Sequence, residues 1–113
     1  MSRSFALKFC QDRFGTLPDY PWERYPSYAV LRHRKSRKWY GVIMHLPYSK
    51  LGLCKEGCTD VMNVKVGPLL RFEQEGIYPA YHMNKSSWVS VVLDGTVPNE
   101  TLSALLELSF SLT

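Results

Sequence analysis

The chain has 113 residues, of which 45% are hydrophobic and 21% charged, and carries a net charge of +4. That length suits one domain with one modest core, and the composition excludes a disordered chain. No apolar run approaches the roughly 20 residues of a membrane helix, and Met1-Ser2-Arg3-Ser4 leads into no signal-peptide core, so a cytoplasmic protein without a membrane partner is expected.

Residues 4–14 contain Phe5, Leu7, Phe9, Cys10 and Phe14, a pattern for a short helix docked by one apolar face, with Gly15 and Pro18 ending it. Asp19 to Pro26 is a Pro- and aromatic-rich loop in which Tyr20, Trp22 and Tyr25 are expected to lid one end of the core. Tyr28 to Arg34 alternates as a strand, Ala29 and Leu31 on one side, Val30, Arg32 and Arg34 on the other. Trp39 to Leu46 is a second strand, with Tyr40, Val42, Met44 and Leu46 opposite Trp39, Gly41, Ile43 and His45. Lys35 to Lys38 forms the polar hairpin tip between them.

Pro47 to Thr59 is irregular, and Asp60 to Val66 is a third strand in which Met62, Val64 and Val66 alternate with Asn63 and Lys65. Pro68 is a good first helical residue, so Pro68 to Glu75 reads as a helix of about two turns stopped by Gly76. Tyr78–Met83 and Trp88–Leu93 are two more strands, joined by a turn at Asn84 to Ser87. After the Asp94-Gly95 turn, Pro98-Asn99-Glu100 opens a terminal helix in which Leu102, Leu105, Leu106 and Phe110 recur at helical spacing. The order α-β-β-β-α-β-β-α predicts an α+β two-layer sandwich, an antiparallel sheet of five strands with helices packed on it.

With these elements in place, several residue runs carry a family likeness. They are Pro21-Trp22, Met62-Asn63-Val64-Lys65-Val66 before Pro68, Gly76-Ile77-Tyr78-Pro79, Ala80-Tyr81-His82-Met83-Asn84-Lys85 with Trp88-Val89, the Asp94-Gly95 turn, Pro98, and Ser109-Phe110. The chain resembles the MmcQ/YjbR family of small bacterial proteins, which implies a CyaY-like, double-wing fold. That family is described as DNA-binding largely on the strength of its fold. Two departures stand out: Gly67 replaces the polar residue before the helix proline, and the loop at 47–59 carries Cys54-Lys55-Glu56-Gly57-Cys58.

The charge is concentrated in the first part of the chain. Residues 1–66 hold 12 Lys/Arg against 5 Asp/Glu, whereas residues 67–113 hold 2 against 5. Within it, Arg32, Arg34, Lys35, Arg37 and Lys38 cluster on the hairpin tip, where like charges repel unless solvent or an anionic partner screens them. Together with Lys85, they could neutralise phosphates of DNA, with Trp39 and Tyr40 as aromatic neighbours. The competing reading is a solvated tip whose charges block edge-to-edge pairing. A second candidate is a small polar pocket for a small molecule or a protein segment, built by Lys65, His82, Asn84 and Trp88, with His82 and Asn84 sharing one strand face. Its structural counterpart is a hairpin in which Tyr81, Met83 and Trp88 are core residues and Asn84 fixes the turn.

Other chemistries are poorly represented. Three cysteines are too few and too unevenly spaced for a secreted disulfide scaffold, and Cys54-x3-Cys58 lacks the tight knuckle spacing of structural zinc. The first helix offers Asp12 alone to hard metals such as iron. Neither a nucleophile–base arrangement nor a Gly-rich phosphate loop is present. The expectation is a non-catalytic binding protein without cofactor or metal, monomeric or weakly dimeric.

Overall fold

Ala6, Cys10 and Phe14 stand on one side of helix α1 (Ser2–Phe14), and in the computed structural model Ala6 and Cys10 are completely buried. The structure describes residues 2–67 and 74–113. Gly15 ends α1 at φ +69°, a conformation glycine adopts without strain, and the Gly15 and Thr16 amides donate to the Gln11 and Cys10 carbonyls. Helix α2 (Asn99–Leu112) starts after Pro98 and buries Leu102, Leu105, Leu106 and Ser109 on one stripe.

Between the helices the chain lays down β1 (Ala29–Arg32), β2 (Trp39–Pro47), β3 (Cys58–Lys65), β4 (Ile77–Pro79) and β5 (Trp88–Val92). They form one five-stranded sheet in the order β1-β2-β3-β5-β4, and every neighbouring pair is antiparallel. This is the α+β architecture expected from the sequence. Ile43, Met62, Val64 and Val91 face the two helices and form the main core with them. Val42, Met44, Leu46 and Val61 point the other way, into a smaller cluster roofed by loops.

The predicted elements need several corrections. The first strand is shorter than 28–34, and the third starts at Cys58, two residues ahead of Asp60, after a short 3-10 turn at Tyr48–Leu51. In β2 the expected alternation fails, because Tyr40 packs with Ile43 in the main core while Trp39 joins Val42 and Met44 on the other face. The cause is a register shift: Leu31 pairs Gly41 but Arg32 pairs Trp39, so an extra residue bulges from β2. Gly41 is suited to this crowded place, since a Cβ there would stand 2.7 Å from Met62 Cε.

The bulge leaves a gap in the β2–β3 ladder that helix α2 fills. The register of Gly41 with Val64 makes Tyr40 and Lys65 the next partners. Their polar groups meet the buried Ser109 instead: its hydroxyl donates to the Tyr40 carbonyl at 2.6 Å and accepts from the Lys65 amide at 2.9 Å.

The larger correction concerns 78–83. The strand stops at Pro79, and His82 has φ +61°, which no strand residue adopts. Residues 80–87 are a folded-back connection instead of a tight turn, so His82 and Asn84 do not share a strand face. The expected helix Pro68 to Glu75 falls almost wholly outside the described residues.

On the helix side of the sheet, Arg3 of α1 and His45 of β2 both hold Asp60, at 3.1 and 3.0 Å. Burial raises the Asp60 pKa, but hydrogen bonds and charge from Arg3 and His45 outweigh it and leave the carboxyl below its ordinary value. Asp94 is likewise lowered: burial is outweighed by the Thr96 hydroxyl and amide, the Tyr48 hydroxyl and Lys55. A carboxylate with a depressed folded pKa contributes stability that is complete above its unfolded value, about 3.9, and disappears as the pH falls through the folded value. Urea unfolding is therefore expected to show wild-type stability dropping more steeply below about pH 4 than that of the Asp60→Asn/Asp94→Asn double variant. Parallel acid limbs would refute it.

Candidate functional site

The open face of the sheet carries a lock built on one polar side chain in an apolar strand. Asn63, in the middle of β3, is completely buried and must satisfy its amide locally. Its Nδ2 donates to the Tyr81 carbonyl at 2.8 Å, and its Oδ1 accepts from the Ser90 hydroxyl at 2.5 Å. The same Ser90 oxygen accepts the Tyr81 amide at 2.9 Å. Both backbone groups of Tyr81 are thereby tied to β3 and β5, which draws the 80–87 connection back over the sheet. Asn84 closes the far side of this loop, accepting the Ser86 amide and hydroxyl on its Oδ1.

A second loop covers the same face from the β1 side. Trp22 meets Tyr28 and Trp39 edge to face, with centroids 6.2 and 5.8 Å apart, and Tyr25 stacks on Tyr28 at 4.7 Å. Trp22 and the largely exposed Tyr25 thus edge the open face, whereas Tyr20 does not line it. Between the two loops runs a groove of about 230 Å³. Val42, Met44 and Asn63 line it from the sheet, the aromatic loop and Trp39 flank it on one side, and Tyr81, His82 and Met83 on the other. Burial, then the nearby Tyr25 and Tyr81 phenols, raise the Tyr28 pKa.

The basic hairpin lies at the same end of the sheet as the 80–87 connection, because Gly41 pairs Val64 and Lys65 pairs Trp88. Arg32, Arg34 and Arg37 converge with Gly15, Thr16, Leu17 and Asp19 around an open cleft of about 380 Å³. Arg32 is held by Asp19 at 3.1 Å and lies over the Trp39 ring, 5.3 Å from its centroid. Arg34 folds back toward the end of α1, its Nη1 3.3 Å from where a Cβ on Gly15 would stand. Arg37 occupies the left-handed region at φ +66°. Neither Arg34, Lys35, Arg37 nor Lys38 makes an ion pair among the described residues.

The structure therefore brings Arg32, Arg34 and Arg37 of the hairpin to one cleft, whereas of the residues expected to form a polar pocket only His82 lines the groove. Lys65 and Trp88 share a face with Asn63 by register, at the strand ends, and neither lines the groove. Asn84 and Lys85 are exposed on the connection, Asn84 fixing its turn as one sequence reading held. The residues missed were Asn63, Ser90 and Tyr28, whereas Trp22 and Trp39, expected as a lid and as an aromatic neighbour of the cations, also flank the groove. One signal for Asn63 was available: an amide amid Val61, Met62 and Val64 needs a buried partner.

No group of three or more His, Cys, Asp or Glu side chains gathers as a metal site among the described residues. Cys54 and Cys58 are exposed free thiols, while burial pushes the Cys10 thiol up to about 11, with Tyr40 a smaller opposing influence. No described helix is long and apolar enough to cross a membrane.

Comparison with known proteins agrees with this architecture. The family model described as YjbR matches residues 13–112. The uncharacterized protein YyaQ of Bacillus subtilis (strain 168) is 45% identical over 116 residues, an alignment covering 100% of this chain and 98% of that one. A crystal structure of a Pseudomonas syringae protein superposes with TM-score 0.95 at 41% identity, covering 100% of this chain and 99% of that one. A Deinococcus radiodurans protein with the domain DUF419 gives TM-score 0.65 at 27% identity, covering 93% and 72% of the two chains. With its family model matched over nearly its whole length, the chain belongs to the YjbR family.

Proposed function

We propose that this protein is a non-catalytic DNA-binding protein that holds backbone phosphates with Arg34, Lys35, Arg37 and Lys38. The observation that carries this reading is the convergence of Arg34 and Arg37 with Arg32 on one cleft at the hairpin, where Asp19 engages Arg32 alone. Arginine's planar fork suits phosphate, and cations without a carboxylate partner meet an anion at little extra desolvation cost. The backbone supports it too. An arginine in the left-handed region costs roughly 1 kcal/mol more than a glycine would, so stability alone does not favour Arg37 at φ +66°.

A salt-series titration on a short DNA duplex tests the reading. Each phosphate neutralised contributes about 0.9 to the slope of log K against log salt, so Arg34→Gln/Arg37→Gly should lower the slope by nearly 2. Arg37→Gly alone should weaken binding while leaving the thermal midpoint unchanged or higher. A wild-type slope near zero would overturn the proposal. The alternative, a small molecule or protein segment seated beside His82, is favoured by the apolar Val42 and Met44 in the groove and predicts binding indifferent to salt.

A further inference from the structure

The aromatic groove and the arginine cleft have a side-chain pair between them: Arg32 lines the cleft, Trp39 lines the groove, and the guanidinium lies over the ring. We infer that the groove receives one unpaired nucleobase, so that the protein prefers single-stranded nucleic acid and holds an adjoining phosphate in the arginine cleft. This rests on the phosphate-binding reading of the hairpin and adds to it a base site and a strand preference.

Size, surface chemistry and charge argue for this occupant. At about 230 Å³ the groove is smaller than the roughly 300 Å³ at which pockets for drug-sized ligands begin, and it suits a single planar group. Its flanks present Tyr25 and Tyr28, which stack on each other, Trp39, one face of which lies under Arg32, and Tyr81 against His82. A base would stack on the faces and edges these contacts leave, without hydrogen-bond readout. Asn63 is completely buried and its amide ties Tyr81 and Ser90, so it holds a wall in place and does not read a base edge. The cations at the same end of the sheet complement the phosphate that every nucleotide carries. A duplex keeps its base faces covered by stacking, and a base must leave the stack to enter between two loops.

The test compares three labelled probes of equal length by fluorescence anisotropy: single-stranded oligothymidine, its duplex with oligoadenine, and a single strand of abasic sites. Oligothymidine should bind at least about tenfold more tightly than the abasic strand, and more tightly than the duplex. Tyr25→Ala should weaken oligothymidine binding roughly 5- to 100-fold and leave abasic binding unchanged. Tyr25 is 46% exposed, so its truncation spares the core, and Tyr81→Leu provides a second variant on the opposite wall. Equal affinity for oligothymidine and the abasic strand overturns the base site while the phosphate reading stands. Salt-independent or absent binding of all three probes overturns both.

Discussion

Asn63→Leu is expected to lower the unfolding free energy by about 3 kcal/mol and to free the 80–87 connection from the sheet. Leucine keeps the branching and heavy-atom count of asparagine but is bulkier, so crowding at this fully buried place adds to the loss of hydrogen bonds. The Tyr81 carbonyl and the Ser90 hydroxyl proton lose their partner, at about 1–3 kcal/mol for each group left buried and unpaired. The chain can escape part of that cost by lifting Tyr81 into water, which takes one wall from the groove. Urea unfolding should record the stability loss, and hydrogen exchange should show the Tyr81 amide, normally held by Ser90, exchanging rapidly. A protected Tyr81 amide with unchanged stability would show that the loop is held elsewhere. Asn63→Asp should be worse at neutral pH, since it buries a charge and turns an acceptor toward the Tyr81 carbonyl. Acidification should partly rescue it, because the neutral carboxyl regains a donor.

Ser109→Val should cost about 2–4 kcal/mol by a related mechanism at the other layer of the fold. The Ser109 hydroxyl satisfies two backbone groups that the β2 bulge prevents from pairing directly. Valine leaves the Tyr40 carbonyl and Lys65 amide without a partner in a fully buried place. Ser109→Ala should lose less, since the smaller side chain leaves space in which a water can stand in for the hydroxyl. Equilibrium unfolding orders the three proteins, and a valine variant as stable as wild type would mean that the strands close the gap themselves. For a small domain stable by about 5–15 kcal/mol, either substitution removes a large fraction of the total.

Helix α2 and strand β3 were legible because each carries a periodic run of apolar residues that the fold buries. Leu102, Leu105 and Leu106 recur at helical spacing, and Met62, Val64 and Val66 alternate, so local pattern and tertiary burial agree. Reading failed where a long-range contact overrode the pattern. The alternation in β2 breaks at Tyr40 because a bulge turns its ring into the main core beside Phe14 and Phe110, with centroids 5.4 and 5.0 Å away. The run 78–83 looks like a strand by composition, yet Asn63 and Ser90 pull Tyr81 out of line, and neither is near it in sequence.

The candidate site divides in the same way. Sequence by itself determined the basic hairpin, since Arg32 to Lys38 are neighbours in the chain and a tight turn must keep them together. It also determined the sheet-and-helix class and the family resemblance, which reside in local runs of residues. Tertiary structure alone decided that Arg34 turns back toward the end of α1, that Arg32 lies over Trp39, and that two loops remote in sequence flank one groove. It also brought only His82, and not Lys65, Asn84 or Trp88, to the lining of that groove. The physical reason is that local sequence sets the period of an element, whereas the satisfaction of buried polar groups depends on partners brought together by the whole fold. Asn63, 18 residues from the carbonyl it holds, is the residue on which that difference turns.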